Sequence, residues 1–273
     1  MDVAALWDFA RPEASELRFR QAIETASGDE VLILRTQIAR TWGLRGDFDR
    51  ARAELDAIAP ALASSGPEVR VRHALELGRT YASATHPAKS RTPQSRETAR
   101  GHFERARRLA GEAKLDALAI DAIHMLAFVD TAPADQLEWG RQALAVCVAS
   151  TQPDARRWEA SIRNNIGYAL HQLGRYDEAL VEFTKALEIR RQGTNAAATR
   201  AAQWMVAWTL RAQGRTDEAI AMQLELEREC DAAGAPDPYV FEELEILYRA
   251  RGDEARAAHY AGRRKLAGQA APK

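Results

Sequence analysis

The sequence predicts an all-α protein built from antiparallel helix pairs, and three observations lead to this class. Apolar residues recur every three or four positions along most of the chain, which is the period of an α-helix. Glycine-containing turns interrupt that period at intervals typical of paired helices. No segment shows the alternating pattern rich in β-branched residues that is typical of strands. A composition of 46% hydrophobic and 28% charged residues over 273 positions is ordinary for an ordered globular chain.

The clearest helix pair lies in residues 160–190. Ile166, Gly167 and Leu170 share one face of its first helix, and Gly174 marks the turn. The second helix has small and large apolar residues on one face, namely Tyr176, Ala179, Phe183 and Ala186. Gly167 and Ala179 are small enough to let the two helix backbones approach closely, so we expect these helices to pack against each other.

This pattern resembles the tetratricopeptide repeat family. The resemblance rests on Ile166-Gly167, on the turn segment GRYDEA at 174–179, and on Phe183 and Ala186, which stand at the intervals of the family. One departure is Arg163, because the family usually carries a large apolar residue there. The resemblance implies a right-handed α-solenoid of about six antiparallel helix pairs, in which first helices line a concave groove.

Other segments repeat the plan in chain order. At the N-terminus, a shortened first helix around Trp7 precedes a second helix that contains Phe19. Residues 33–59 and 200–227 match closely, because their turn segments GDFDRA and GRTDEA are similar to GRYDEA.

Three further pairs are looser. In the first, an inserted loop at about 85–95 separates the helix of Gly78 from its partner. In residues 113–148, His124 and Ala127 both qualify for the position of the small packing residue. Residues 238–266 form a divergent end cap, with Glu245 at the packing position. We therefore predict one solenoid over residues 1–266 and a flexible tail over 267–273.

Helical geometry selects the residues that face the predicted groove. Positions three before, one after and four after each small packing residue point to the same side of a first helix, and Arg72 lies near Arg79 on that face. The selected ligand-binding residues are Arg40, Arg72, Arg79, Asn164, Tyr168, His171, Trp204, Trp208 and Arg211.

Trp204 and Trp208 are one helical turn apart and offer a flat surface for an apolar side chain of a ligand. The alternative is that they pack against the adjacent repeat. Asn164 resembles the asparagines with which some family members hold a peptide backbone. The lysines that complete a carboxylate clamp in those members are missing here. His171 either titrates near neutral pH or serves only in packing.

The arginines Arg40, Arg72, Arg79 and Arg211 suit carboxylate or phosphate groups of a ligand. The alternative is that they are solvated or form internal salt bridges. The basic segment 91–108 lacks interleaved aromatic residues, and the formal net charge of the chain is −1, so we predict no nucleic-acid partner.

The sequence contains no phosphate-binding glycine loop, nucleophile elbow, His-Glu-x-x-His motif or paired cysteines. We therefore predict no enzyme activity, no cofactor and no metal site. Cys147 and Cys230 are interpreted as reduced structural thiols. With neither a signal peptide nor a membrane-spanning segment in the pattern, a cytoplasmic protein is expected.

These features predict an adaptor or scaffold that binds a protein or peptide segment in its groove. The alternative is a regulatory sensor that responds to a peptide or small ligand, since bacterial regulators carry similar repeats. An enzyme with residues converging from several repeats is the third hypothesis. Repeat proteins often pair through their end repeats, so a homo-oligomer stays open.

Overall fold

A computed structural model describes residues 2–270, and these residues are helical with loops and contain no strand. The described chain divides into two compact units, unit 1 up to Glu159 and unit 2 from Ala160 onward. The predicted all-α class and the packing of helices in neighbouring pairs are confirmed. The assembly of both units into one solenoid stays a prediction.

Unit 1 contains α-helices joined by short loops and 3-10 turns. Neighbouring helices in sequence pack against each other, as in α2 with α3, α4 with α5 and α6 with α7. The helices are α1 Pro12–Ile23, α2 Asp29–Leu44, α3 Phe48–Ile58, α4 Pro67–Arg79, α5 Pro93–Glu112, α6 Asp116–Val129, α7 Pro133–Ala149 and α8 Pro153–Arg156.

Small residues set the spacing of the helices in unit 1, as the sequence predicts. Gly78 of α4 lies directly over the ring of Phe103 in α5, and a Cβ added at this glycine would come within 2.5 Å of that ring. Phe103 is fully buried together with Ala99 and Ala106. Burial of a side chain of this size contributes about 2 to 3 kcal/mol to stability.

The inserted loop between α4 and α5 covers residues 80–92 rather than 85–95. Helix α5 begins earlier than the pattern suggests, because Thr92 accepts a hydrogen bond from the backbone N–H of Ser95 and Pro93 occupies the first turn. His86 of the loop is buried and stacks on Phe48, with 3.7 Å between ring centroids. The loop is therefore packed onto the helices.

Neither of the two residues predicted as the small packing residue of α6 is fully buried. His124 is exposed, and Ala127 is only partly buried, whereas Ala122 is completely buried in the core cluster of α4, α5 and α6. His124 is therefore not the packing residue of α6. Its ring instead lies 5.8 Å from that of Trp158.

Unit 2 consists of three helix pairs. Gly167 of α9 lies against the ring of Phe183 in α10, where an added Cβ would approach the ring to 2.8 Å. The turn between these helices contains Gly174 with φ of +72°, a conformation that favours glycine. The helices are α9 Glu159–Gln172, α10 Tyr176–Arg191, α11 Ala196–Ala212, α12 Thr216–Ala232, α13 Pro238–Ala250 and α14 Glu254–Ala270.

The C-terminal pair α13 and α14 has a polar residue at its packing position. Glu245 is 7% exposed and forms ion pairs with Arg249 at 2.9 Å and with Arg264 of α14 at 3.1 Å. Helix α14 also contacts α12 through Arg263, which pairs with Asp231 at 2.8 Å. The last helix extends to residue 270, and residues 271–273 of the predicted tail lie outside the described residues.

Candidate functional site

Four aromatic side chains of unit 2 lie against one another. Tyr168 and His171 belong to α9, and Trp204 and Trp208 to α11. The Trp208 ring is stacked on His171 at 3.4 Å, on Trp204 at 5.7 Å and on Tyr168 at 6.1 Å between centroids. We call these four residues the aromatic surface. Both tryptophans are half-buried, and Tyr168 is 46% exposed.

Helical spacing explains this arrangement. Trp204 and Trp208 are four residues apart, and Tyr168 and His171 three apart, so each pair lies on one face of its helix. The two alternatives for the tryptophans are therefore not exclusive. Trp208 packs against α9 of the preceding pair, yet part of the aromatic surface is open to solvent.

Two polar atoms of the aromatic surface are buried without a hydrogen-bond partner among residues 2–270. They are Nε1 of Trp204, which is a donor, and Nε2 of His171. Buried polar atoms are usually paired, so atoms of this kind can indicate where a ligand binds.

The pKa of His171 is lowered to about 4, because burial disfavours the charged imidazolium and Arg211 adds repulsion. The imidazole is therefore neutral near pH 7. It also touches Tyr176 edge to face, at 4.9 Å between ring centroids. The aromatic surface thus carries no formal charge at neutral pH.

Arg211, the charged residue predicted next to this surface, is held by a carboxylate of α13. Its guanidinium donates two hydrogen bonds to Glu243, with Nε to Oε2 at 2.7 Å and Nη2 to Oε1 at 2.9 Å. Glu243 is 4% exposed. The alternative of internal salt bridging therefore describes Arg211 in this structure.

Asn164 lies one turn before Tyr168 on α9 and is partly buried. It lines a cavity of about 230 Å³ between α9, α10 and α11, together with Asn165 and Ser161. The hydroxyl of Ser161 accepts a hydrogen bond from Arg190 at 2.7 Å. The amide of Asn164 is thus part of the lining of this cavity.

The predicted arginines of unit 1 do not act alike. Arg79 is 12% exposed and forms ion pairs with Glu76 at 2.6 Å and with Asp121 of α6 at 2.5 Å. Arg40 of α2 lies farther from the same carboxylates, at 3.5 Å from Glu76 and 3.9 Å from Asp121. Arg72 pairs with Glu68 within α4, at 2.8 Å.

The two carboxylates and two guanidiniums form one network, which we call the charge cluster, of Arg40, Glu76, Arg79 and Asp121. Burial raises the pKa of the Asp121 carboxyl, but the positive charges of Arg79 and Arg40 outweigh this and hold it below its usual range. Sequence reasoning selected the arginines but did not select Glu76, whose spacing of three from Arg79 was the available signal.

The basic segment of α5 is partly neutralised within unit 1. Arg100 contacts Glu104 at 3.0 Å and also pairs with Asp130, and Arg108 contacts Glu112 at 2.9 Å. Over the described range, no group of three or more His, Cys, Asp or Glu residues is arranged to hold a metal ion. None of the helices described is long and apolar enough to cross a membrane.

The paired helices define a helical-repeat protein. The family model of the tetratricopeptide repeat matches residues 158–227, which include all of the aromatic surface. The resemblance noted in the sequence is therefore confirmed, and this segment consists of tetratricopeptide repeats.

Solved structures of low sequence identity share the fold. The apo form of RapI aligns with a TM-score of 0.76 at 10% identity, over 96% of this chain and 73% of RapI. A signal transduction ATPase with a tetratricopeptide repeat sensor from Pyrococcus horikoshii gives a TM-score of 0.68 at 12% identity, over 93% of this chain and 39% of that protein. Kinesin light chain TPR-like repeats from Podosopora anserina give 0.54 at 18% identity, over 73% and 94%. No curated protein matches the sequence.

Proposed function

We propose that the protein binds a segment of another protein on the aromatic surface of unit 2 and acts as an adaptor without catalysing a reaction. The observation that supports this most directly is the stack of His171 and Trp204 on Trp208, which leaves two polar atoms unpaired beside an apolar plane. Stacked aromatic residues are typical anchors of protein interfaces.

The arrangement suits an extended chain with a large apolar side chain. That side chain would lie on the indole rings, and a backbone carbonyl would accept the hydrogen bond that Nε1 of Trp204 does not make within the described chain. Asn164, one turn earlier on the same helix, would bond the next part of the backbone. Arg211 would not attract an acidic group, because Glu243 already neutralises it.

The test is selection of peptides from a displayed random library on the immobilised protein, followed by titration of the selected peptides. Tyr168→Ala removes an exposed anchor, and loss of a real anchor costs about 2 kcal/mol, or roughly 30-fold in affinity. The matched control is Tyr239→Ala, since Tyr239 is 65% exposed on α13 of the same unit.

We expect the control to bind within about twofold of the wild type. Equal affinity of wild type, Tyr168→Ala and a Trp204→Ala/Trp208→Ala variant for every selected peptide would exclude this surface as the binding site. Circular dichroism of each variant separates lost binding from lost helicity.

The second candidate is a ligand-responsive sensor. It is favoured by the similarity to the repeats of the P. horikoshii ATPase, which are described as a sensor, although this similarity concerns the fold. A sensor should change its conformation when it binds. A selected peptide that alters the radius of gyration in small-angle scattering would favour the sensor over a passive adaptor.

A further inference from the structure

One cavity in unit 1 has a lining of two parts. The charge cluster forms one part, and apolar side chains form the other. The cavity has a volume of about 260 Å³, and it lies among α2, α4, α6 and the loop after α4. All four members of the charge cluster line it. The apolar part of the lining is formed by Leu44, Met125, Phe128 and Trp158.

Two atoms of the charge cluster are buried and make no hydrogen bond within residues 2–270. One is Nε of Arg40, which can only donate, and the other is Oε2 of Glu76, which can only accept when ionised. Glu76 is 3% exposed. An unpaired donor and an unpaired acceptor in one buried network match the two polar groups of an amide, whose carbonyl accepts and whose N–H donates.

Arg40 is the more weakly held of the two guanidiniums. Its contacts at 3.5 and 3.9 Å are longer than the 2.6 and 2.5 Å of Arg79, and a charge-assisted hydrogen bond normally spans about 2.7 to 2.9 Å. Both unpaired atoms are shielded from solvent, so a ligand reaches them only when the Arg40 side chain turns towards the cavity. That turn gives up the long ionic contacts of Arg40 and its position over the rings of Trp7 and Phe9, at 5.6 and 5.5 Å from their centroids, and leaves the close pairs of Arg79 intact.

The lining has no net formal charge at neutral pH, because it contains two guanidiniums and two carboxylates. Although His124 is partly exposed, desolvation of its ring and repulsion from Arg79 and Arg40 lower the pKa of the imidazole, against the attraction of Asp121. An anionic ligand would face Glu76 and Asp121, and a cationic one would face the arginines. A buried charge without a free counter-charge is strongly disfavoured.

We propose that the unit 1 cavity binds a small uncharged ligand that carries an amide group and a compact apolar group. The amide would bond to Arg40 and Glu76, and the apolar group would contact Met125, Phe128 and Trp158. A cavity of about 150 Å³ already holds benzene, so one of 260 Å³ has room for a molecule the size of one amino-acid residue. This site shares no residue with the aromatic surface and does not rest on the function proposed for that surface.

The first experiment compares three leucine derivatives of different charge, of which the first two have nearly the same shape and the third lacks the acetyl group. They are N-acetyl-L-leucinamide, which is neutral, N-acetyl-L-leucine, which is an anion, and L-leucinamide, which is largely a cation near pH 7. Binding to the full-length wild type is measured by saturation-transfer NMR and by titration of tryptophan fluorescence. We expect the neutral amide to bind at least tenfold more tightly than either charged probe.

The second experiment fills the cavity. Gly43 lines it, and a Cβ added there has no neighbour within 4 Å. Gly43→Leu should weaken binding of the neutral amide at least tenfold without loss of helicity. The matched control is Gly111→Leu, because Gly111 has equally free space and is also the residue before the last one of its helix. The control should bind like the wild type.

Two variants separate this proposal from the proposed function. Arg40→Lys keeps the charge but removes the Nε–H donor, and should weaken amide binding at least fivefold. Trp204→Ala/Trp208→Ala should leave amide binding unchanged even where it abolishes peptide binding.

The proposal is overturned if the wild type shows no saturable binding of the neutral amide, if the anion binds equally well, or if folded Gly43→Leu binds like the wild type. If Gly43→Leu does not fold, the charge series on the wild type and Arg40→Lys decide the outcome.

Discussion

The imidazole of His171 lies face to face with the indole of Trp208, with 3.4 Å between ring centroids and 14° between ring planes. This contact joins α9 to α11 across two successive repeats. It also keeps water from one side of the imidazole, which is the main reason that the pKa of His171 is lowered to about 4. Packing and protonation are therefore linked at this position.

A fall in pH should lower the stability of unit 2 through protonation of His171. The folded-state pKa of about 4 lies below the ordinary value of 6.5, so between these values the unfolded chain binds a proton that the folded chain does not. Stability from this group is complete above pH 6.5 and is lost as the pH falls to about 4. Because the ring is partly solvated, we expect a loss of roughly 1 to 2 kcal/mol.

The measurement is the pH dependence of urea unfolding between pH 7 and pH 4, for wild type and His171→Gln. The variant should lose less stability than the wild type over this range. His259→Gln, which removes an exposed histidine of the same unit, should lose as much as the wild type. An NMR titration that places the pKa of His171 near 6.5 would contradict the prediction directly.

The contact of Gly167 with Phe183 should tolerate no larger residue. Gly167→Ala places a methyl group within 2.8 Å of the Phe183 ring, and overpacking of this kind costs about 1 to 3 kcal/mol. Thermal unfolding should show a lower melting temperature. Gly101→Ala is the control, because Gly101 is helical with free space around an added Cβ, and there we expect a gain of about 0.5 kcal/mol.

The double variant Gly167→Ala/Phe183→Leu tests the cause. A smaller side chain at position 183 should recover part of the stability lost by Gly167→Ala, so that the two changes are not additive. Additive losses would show that the methyl group acts through another contact.

Local patterns predict most of this fold, because helix pairs of a repeat meet through residues close in sequence. Gly167 and Phe183 are an example, since their contact follows from helical spacing and one turn. The same reasoning failed in α6, where His124 and Ala127 were the two candidates for the small packing residue and tertiary packing buries Ala122 completely instead. It also misplaced the start of α5, because the cap formed by Thr92 is a local signal that apolar periodicity does not contain.

The candidate site was only partly predictable, because the partners of its arginines lie far away in sequence. Glu243 is 32 residues from Arg211, and Asp121 is 42 residues from Arg79. Helical spacing predicts which face of a helix a residue occupies. It does not predict which charged residue of the next repeat pairs with it, since that depends on the register between repeats.

Removal of Arg211 should destabilise unit 2 more than removal of a comparable surface arginine. Arg211→Met leaves the carboxylate of Glu243, which is 4% exposed, buried and without its bidentate partner. Breaking a buried pair on one side costs about 3 kcal/mol or more. Because the Arg211 side chain is partly exposed to solvent, we expect Arg211→Met to lower the free energy of unfolding by about 2 kcal/mol.

Arg215→Met is the matched control, because Arg215 also forms two hydrogen bonds to a glutamate, Glu218, but both side chains are exposed. Water screens an exposed pair of this kind, so we expect Arg215→Met to lose much less stability than Arg211→Met. Equal losses in both variants, measured by urea unfolding, would show that Glu243 is not effectively buried.

In unit 1, Arg79 should prove structural and Arg72 dispensable. Arg79 joins α4 to α6 through Asp121 and is 12% exposed, whereas Arg72 forms its ion pair among residues 2–270 with Glu68 of its own helix. Arg79→Met leaves two buried carboxylates that share the single, loosely held guanidinium of Arg40, so we expect a loss of about 3 kcal/mol. Arg72→Met should change the free energy of unfolding by less than about 0.5 kcal/mol, which is typical of pairs within a helix. The reverse order in urea unfolding would mean that the carboxylates of Glu76 and Asp121 do not depend on Arg79, and that Arg79 is free to meet a ligand.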